Sequence, residues 1–181
     1  MNEAYYYFTA TLPYLDFEST PPMSDEAFCD ECERLLTEDD LSIMQGFLSQ
    51  REKLDSHNDS VNALAQYNRD FRNEIVWFRT QRVHKDSGDA MRKTRAGSLS
   101  IVETIQQVSK IPNLLEAEKF LDKARWQNWD HFLMGRQGGL ESIIVYGLKL
   151  KILNRYKEIN SPKGREIFEK IKHREMPAYG I

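Results

Sequence analysis

Between Leu140 and Ile159 apolar side chains recur at Leu140, Ile143, Ile144, Leu148, Ile152, Tyr156 and Ile159, and a second stripe of Tyr146, Leu150 and Leu153 runs beside them. Two stripes at helical spacing predict a helix packed on more than one side. The charges between them, Lys149, Lys151, Arg155, Lys157 and Glu158, have stems that cover apolar surface while their heads reach water or an acidic partner. A second pattern, Val61, Leu64, Phe71, Ile75 and Phe78, predicts a helix over Ser60–Arg82, after a polar stretch from Arg51 to Asp59. Asn68 interrupts its stripe, and Tyr67 and Trp77 lie to the side. This spacing suits a core or a helix–helix interface rather than a cofactor box.

Capping residues set the remaining boundaries. Ser24, with Asp25 and Glu26 behind it, opens a helix whose face is marked by Phe28, Cys32, Leu35 and Leu36. Thr37 opens the next, over Leu41–Leu48, with an approximate capping box in Thr37-x-x-Asp40. The carboxylates Glu38, Asp39 and Asp40 favour that helix's positive end, and they lack the alternating ligands and central glycine of an EF-hand. Leu99–Val108 is a short helix stopped near Ile111-Pro112, and Asn113 caps a longer one carrying Leu114, Leu115, Phe120, Leu121, Ala124, Trp126, Trp129, Phe132 and Leu133. Gly135-Arg136-Gln137-Gly138-Gly139 ends it as a hinge, and Ser161-Pro162 starts a last helix with Phe168 and Ile171 facing inward. The opening Tyr5–Pro13 run, aromatic and β-branched, reads as an extended piece laid against the body and ended by Pro13. The expected fold class is all-α: a multi-helix bundle of five to seven helices with an extended or partly helical N-terminal arm. Residues 1–181 read as a single unit, with 1–96 and 97–181 as a candidate subdivision.

An apolar fraction of 40% is enough for a buried core, and the formal charge of −3 gives no general reason to bind nucleic acid or an anionic membrane. No stretch approaches the roughly 20 apolar residues that span a bilayer, and Asn2, Glu3, Pro13 and Asp16 argue against a signal peptide, so the chain is expected in the cytoplasm. The parts of the chain differ more than its sum. From Asp16 to Asp40 ten acidic residues stand against Arg34 alone, whereas Arg69–Arg95 carries Arg69, Arg72, Arg79, Arg82, Lys85, Arg92, Lys93 and Arg95 against Asp70, Glu74, Asp86 and Asp89. Docking between charged protein faces and a plain solvated surface both fit this polarity.

No catalytic constellation stands out. His57, His84, His131 and His173 are scattered, and neither Asp130-His131 nor Glu116 and Glu118 share a helix face. Cys29 and Cys32 form one CxxC with no second pair and no nearby histidine; Asp30, Glu31 and Glu33 disfavour a thiolate, so they read as structural. The basic segment Asp89–Ala96, between Gly88 and Gly97, lacks the strand and glycine loop that cradle a nucleotide, and the 135–139 run is no Walker A loop. No enzymatic activity, metal or cofactor is therefore expected. Trp126 and Trp129, one turn apart, suit either a core seam or a binding hot spot. The candidate interface residues are Arg69, Arg72, Arg79, Arg82, Trp126, Trp129, Lys149 and Arg155. A helical nucleic-acid binder or general scaffold is the alternative, since Arg69, Arg72, Arg79 and Arg82 recur on roughly one side of a helix; the acidic total charge and the absence of a reading motif weigh against nucleic acid.

Tyr6-Tyr7-Phe8-Thr9-Ala10-Thr11-Leu12-Pro13, followed by Pro21-Pro22-Met23-Ser24-Asp25-Glu26-Ala27-Phe28, resembles the opening of a bacterial family of V-type ATPase-associated proteins that are similar to the C subunit of the rotary enzyme. Phe120-Leu121, Trp126-Gln127-Asn128-Trp129 and the Tyr146–Tyr156 stretch are similar to the carboxy half of that family, and to the Tyr…Lys-Leu…Arg helix of the archaeal and V-type C subunit. The resemblance implies a C-subunit-like helical bundle serving as a non-catalytic central-stalk adaptor of a rotary ATPase. Its partners would be shaft and membrane-ring subunits, and its membrane association peripheral. The chain is too short for the full set of C-subunit domains, so replacement of that component and accompaniment of it both stay open.

Overall fold

The computed structural model describes residues 3–50, 56–83 and 99–172; within these, side chains at 81–83, 99, 167–169, 171 and 172 are outside the description. Eight helices fall in this range: α1 Glu3–Thr11, α2 Asp25–Leu35, α3 Glu38–Leu48, α4 Asp59–Val83, α5 Leu99–Val108, α6 Leu114–Leu133, α7 Leu140–Asn160 and α8 Pro162–Lys172. The all-α class holds, and among the described residues the helices outnumber the five to seven expected because the opening segment is itself a helix. The basic segment Asp89–Ala96 and the inward placement of Phe168 and Ile171 lie outside the described residues.

The extended reading of Tyr5–Pro13 is corrected by its hydrogen bonds. Thr9 Oγ1 donates back to the carbonyls of Tyr5 and Tyr6, and Thr11 Oγ1 to that of Phe8, so the β-branched residues close helical turns. Tyr5 and Phe8, three apart, are buried, while Tyr6 and Tyr7 are exposed. The aromatics therefore sort by a helical period and not by alternation. The helix stops two residues before Pro13, as the restriction on the residue preceding proline requires.

The expected caps form. Ser24 accepts from the Ala27 N–H, Thr37 from Asp40, Asn113 from Leu115 and Glu116, and Ser161 from Gly164. The capping box of α3 differs from the pattern in one respect. Asp40 does not return to Thr37; the Tyr5 hydroxyl stands between them, accepting from the Thr37 N–H at 3.5 Å and donating to the Asp40 carboxylate at 2.5 Å. Burial, and then Asp40, hold the Tyr5 phenol above its ordinary pKa, which keeps that donor protonated.

Helix α7 is the hub. It packs against α1, α2, α3, α4, α6 and α8; Ile143, Ile144 and Leu150 of its two stripes are fully covered, Tyr146, Leu148 and Tyr156 are half-buried, and Ile159 at the end is exposed. Each fully covered side chain stabilises the fold by about 1.5–3 kcal/mol relative to exposure. Phe28 and Cys32 of α2, Met44 and Phe47 of α3, and Val61 and Leu64 of α4 close on it; Leu36 joins this core, and Leu35 points outward at 43% exposure. Gly147 permits a close approach of α2 to α7: a Cβ there would stand 2.7 Å from Cε1 of Phe28. A second, smaller cluster of Phe71, Ile101, Ile105 and Leu121 fixes α5 between α4 and α6. The main cluster draws on residues from both sides of position 96.

Candidate functional site

Trp126 and Trp129, for which the sequence leaves core and interface open, are both buried in the main cluster. Phe17 from the α1–α2 loop meets Trp126 edge to face at 5.5 Å, and Lys149 places its ammonium 4.7 Å over the same ring. Trp129 donates its indole N–H to Asn68 at 3.1 Å, so the polar interruption in the α4 stripe is the partner of a buried tryptophan. Outward-facing apolar residues on α6 are instead Leu114, Leu115 and Phe120.

Two bases of α7, Lys149 and Arg155, find acidic partners within the chain. Lys149 is buried and pairs with Asp130 of α6. Arg155 pairs with Asp122, a fully buried carboxylate on α6 that sequence pattern does not single out. Asp122 also accepts from Tyr156 at 2.8 Å and from Arg125 at 3.5 Å. Burial pushes its carboxyl up from the ordinary range, while Arg155, the Tyr156 hydroxyl and Arg125 pull it back. Arg125 completes the cluster with its guanidinium 4.7 Å over the Phe71 ring, joining the two cores.

Asp122, Arg125 and Arg155 line a cavity of about 330 Å³ between α3, α4, α6 and α7, which Asp25 of α2 also borders. Four of the eight candidate residues, Arg69, Arg72, Trp129 and Arg155, line it, together with Arg125 and Lys151. Its apolar lining comes from Phe47, Ala65, Leu148 and Ile152. The row of arginines on α4 is thereby divided: Arg79 pairs with Glu118 of α6 at 3.1 Å, outside the cavity, and the Arg82 side chain lies outside the described residues. Gln50, which also lines the cavity, has φ 57, a left-handed backbone that costs a non-glycine residue about 1–2 kcal/mol, and its carbonyl accepts from Arg72 at 3.3 Å. Sequence reasoning found the arginines from their spacing. It missed Asp122, Arg125 and Gln50, since a buried carboxylate on an amphipathic helix has no local signature.

The cysteines are structural in placement. Cys32 is buried, and burial pushes its thiol up to about 12; Cys29 is half-buried and raised by burial first and then by Asp25, Glu33, Asp30 and Glu26. Both therefore stay protonated at neutral pH, where the thiol is a poor nucleophile and metal ligand. Among the described residues no group of three or more His, Cys, Asp or Glu is placed to hold a metal ion.

The class defined by this architecture is an all-α protein wrapped around a central helix, with a cavity of mixed polar and apolar lining and an excess of cations at its side. Residues 94–175 match the model of DUF2764, a family described as proteins of unknown function. The match takes in α5–α8, and with them Asp122, Trp126, Trp129, Lys149 and Arg155, but not α1–α4. Comparison with curated proteins and with solved structures finds no match.

Proposed function

We propose that the protein is a non-catalytic docking component of a V-type rotary ATPase, placed in the central stalk where the shaft meets the membrane ring. The observation that carries this reading is the separation of surface charge. Glu26, Asp30, Glu33, Glu38 and Asp39 are exposed along α2 and the start of α3, and among the described residues none has an ion-pair partner; Glu31 alone is paired, to Arg34 at 3.0 Å. The cationic groups without a carboxylate partner among the described residues, Arg69, Arg72 and Lys151, belong to different helices, α4 and α7. Opposite charges set apart on one body align it with neighbours and select partners. A central helix packed by six others gives the stiffness that transmitting torque requires, and the resemblance of residues 6–13, 21–28 and 146–156 to C-subunit-like proteins supports the same assignment.

No helix among the described residues is long and apolar enough to cross a membrane. Attachment in this reading is peripheral, on the cytoplasmic face, through the ring subunits. Purification of the tagged protein from native membranes, with and without detergent, tests it. Shaft and ring subunits are expected to co-purify, and complete absence of the protein from an otherwise intact ATPase complex refutes the assignment.

A further inference from the structure

We propose that the cavity between α3, α4, α6 and α7 is a binding site for a small organic phosphate, an inference that stands independently of the ATPase reading. Its lining holds five cationic side chains, Arg69, Arg72, Arg125, Lys151 and Arg155, and three carboxylates, Asp25, Asp122 and Glu158. Asp122 takes Arg155 and Arg125, Asp25 takes the uncharged Asn154 amide at 2.6 Å, and Glu158 is exposed. Arg69 donates to the side-chain carbonyl of Gln66, Arg72 to the backbone carbonyl of Gln50, and Lys151 to that of Leu48, so all three bond uncharged oxygens. Among the described residues none of them has a carboxylate partner.

Five cations against three carboxylates leave the concavity with a net positive charge, and an anion bound near Arg69, Arg72 and Lys151 relieves the repulsion among them. Arg69 and Arg72 stand one turn apart on α4, and each uses a single guanidinium nitrogen in the bond just described, leaving donors of the planar fork for a ligand. Paired forks with an ammonium suit the several oxygens of a phosphate better than a lone carboxylate. The lining is not wholly polar: Phe47, Ala65, Leu148 and Ile152 offer surface for an apolar or planar body attached to the phosphate. The volume of about 330 Å³ falls in the range of small-ligand sites. The left-handed backbone of Gln50, whose carbonyl orients Arg72, is a local cost carried at the same spot.

Isothermal titration of the full chain with ADP, pyrophosphate and citrate in low salt tests the proposal. One ADP is expected to bind per chain, at least tenfold more tightly than pyrophosphate, which carries the same diphosphate without the planar body, or than citrate. Arg69→Gln/Arg72→Gln and, separately, Lys151→Gln are expected to weaken ADP at least tenfold, with circular dichroism confirming that each remains folded. Arg79→Gln, on the same helix but paired to Glu118 outside the cavity, is expected to leave binding unchanged. Absence of binding by all three ligands, or equal losses in the Arg79 and cavity variants, overturns the site. Pyrophosphate binding as tightly as ADP overturns the role of the apolar lining, and citrate binding tightest overturns the assignment to phosphate.

Discussion

Asp122 joins α6 to α7, and its removal has a cost that the geometry allows to be worked out. Asp122→Ala leaves the Tyr156 hydroxyl and two guanidiniums without their acceptor. A fully buried pair broken in this way costs about 3–5 kcal/mol. Here the Arg155 and Arg125 side chains are 46% and 29% exposed, so both recover much of their hydration and their share is discounted. What remains is about 1–2 kcal/mol for an unsatisfied hydroxyl and about 1 kcal/mol for the space left by the carboxyl. The expected total is about 2–3 kcal/mol, a shift of about 1–1.5 M in the urea midpoint at an m-value of about 2 kcal/mol/M. Urea titration followed by the fluorescence of buried Trp126 and Trp129 reads it directly. Tyr156→Phe should cost about 1 kcal/mol alone and couple with Asp122→Ala. A loss below about 1 kcal/mol, or strict additivity of the two changes, refutes the account of Asp122 as a shared acceptor.

Gly147→Ala is expected to destabilise the protein by about 1–2 kcal/mol in thermal melts, because overpacking against Phe28 outweighs the gain in helix propensity. Tyr5→Phe removes the bridge between Thr37 and Asp40 and should lower stability by about 1 kcal/mol, measured by urea unfolding. Cys32 is raised from 9 to about 12 and Tyr67 from 10 to about 12, so the native state keeps protons that the unfolded chain releases. Their contribution is fully present below about pH 9 and is lost as pH rises toward 12, which a falling melting midpoint across that window would register. Fluorescence anisotropy at low salt against mixed DNA and RNA should give no tight binding; sub-micromolar affinity lost on charge reversal of Arg79 and Arg82 would favour the nucleic-acid alternative.

Periodicity made the long helices legible to within a residue or so: Ser60–Arg82 against α4 at Asp59–Val83, and Leu140–Ile159 against α7 at Leu140–Asn160. Caps were legible because Ser24, Thr37, Asn113 and Ser161 act on N–H groups two or three residues away. The opening aromatics were not, since a short run of Tyr and Phe satisfies a period of two or of 3.6 equally well. Its conformation is supported by remote partners, Asp40 for Tyr5 and Gly138 for Tyr6, where a Cβ at Gly138 would lie 2.7 Å from the Tyr6 ring. The cavity was half legible for the same reason. Arg69 and Arg72 share a helix face, but Asp122 meets Arg155 and Tyr156 across more than thirty residues of chain, a separation that no local pattern encodes.

The distribution of counter-charges separates the residues that hold the fold together from those left to act outside it. Lys149 and Arg155 look from sequence like surface cations, yet each is matched by a carboxylate on α6, and Arg79 by another, so these bases serve helix packing. Arg69, Arg72 and Lys151 are matched only by uncharged carbonyls, and Glu26, Asp30, Glu33, Glu38 and Asp39 of α2 and early α3 are exposed. Charges that contribute little to folding are the ones a partner or ligand can use at full strength, because no internal pair has to break first. Replacement of the first group therefore acts mainly on stability. Replacement of the second acts on recognition, with the cavity cations separable from Glu26, Asp30, Glu33, Glu38 and Asp39, none of which lines the cavity.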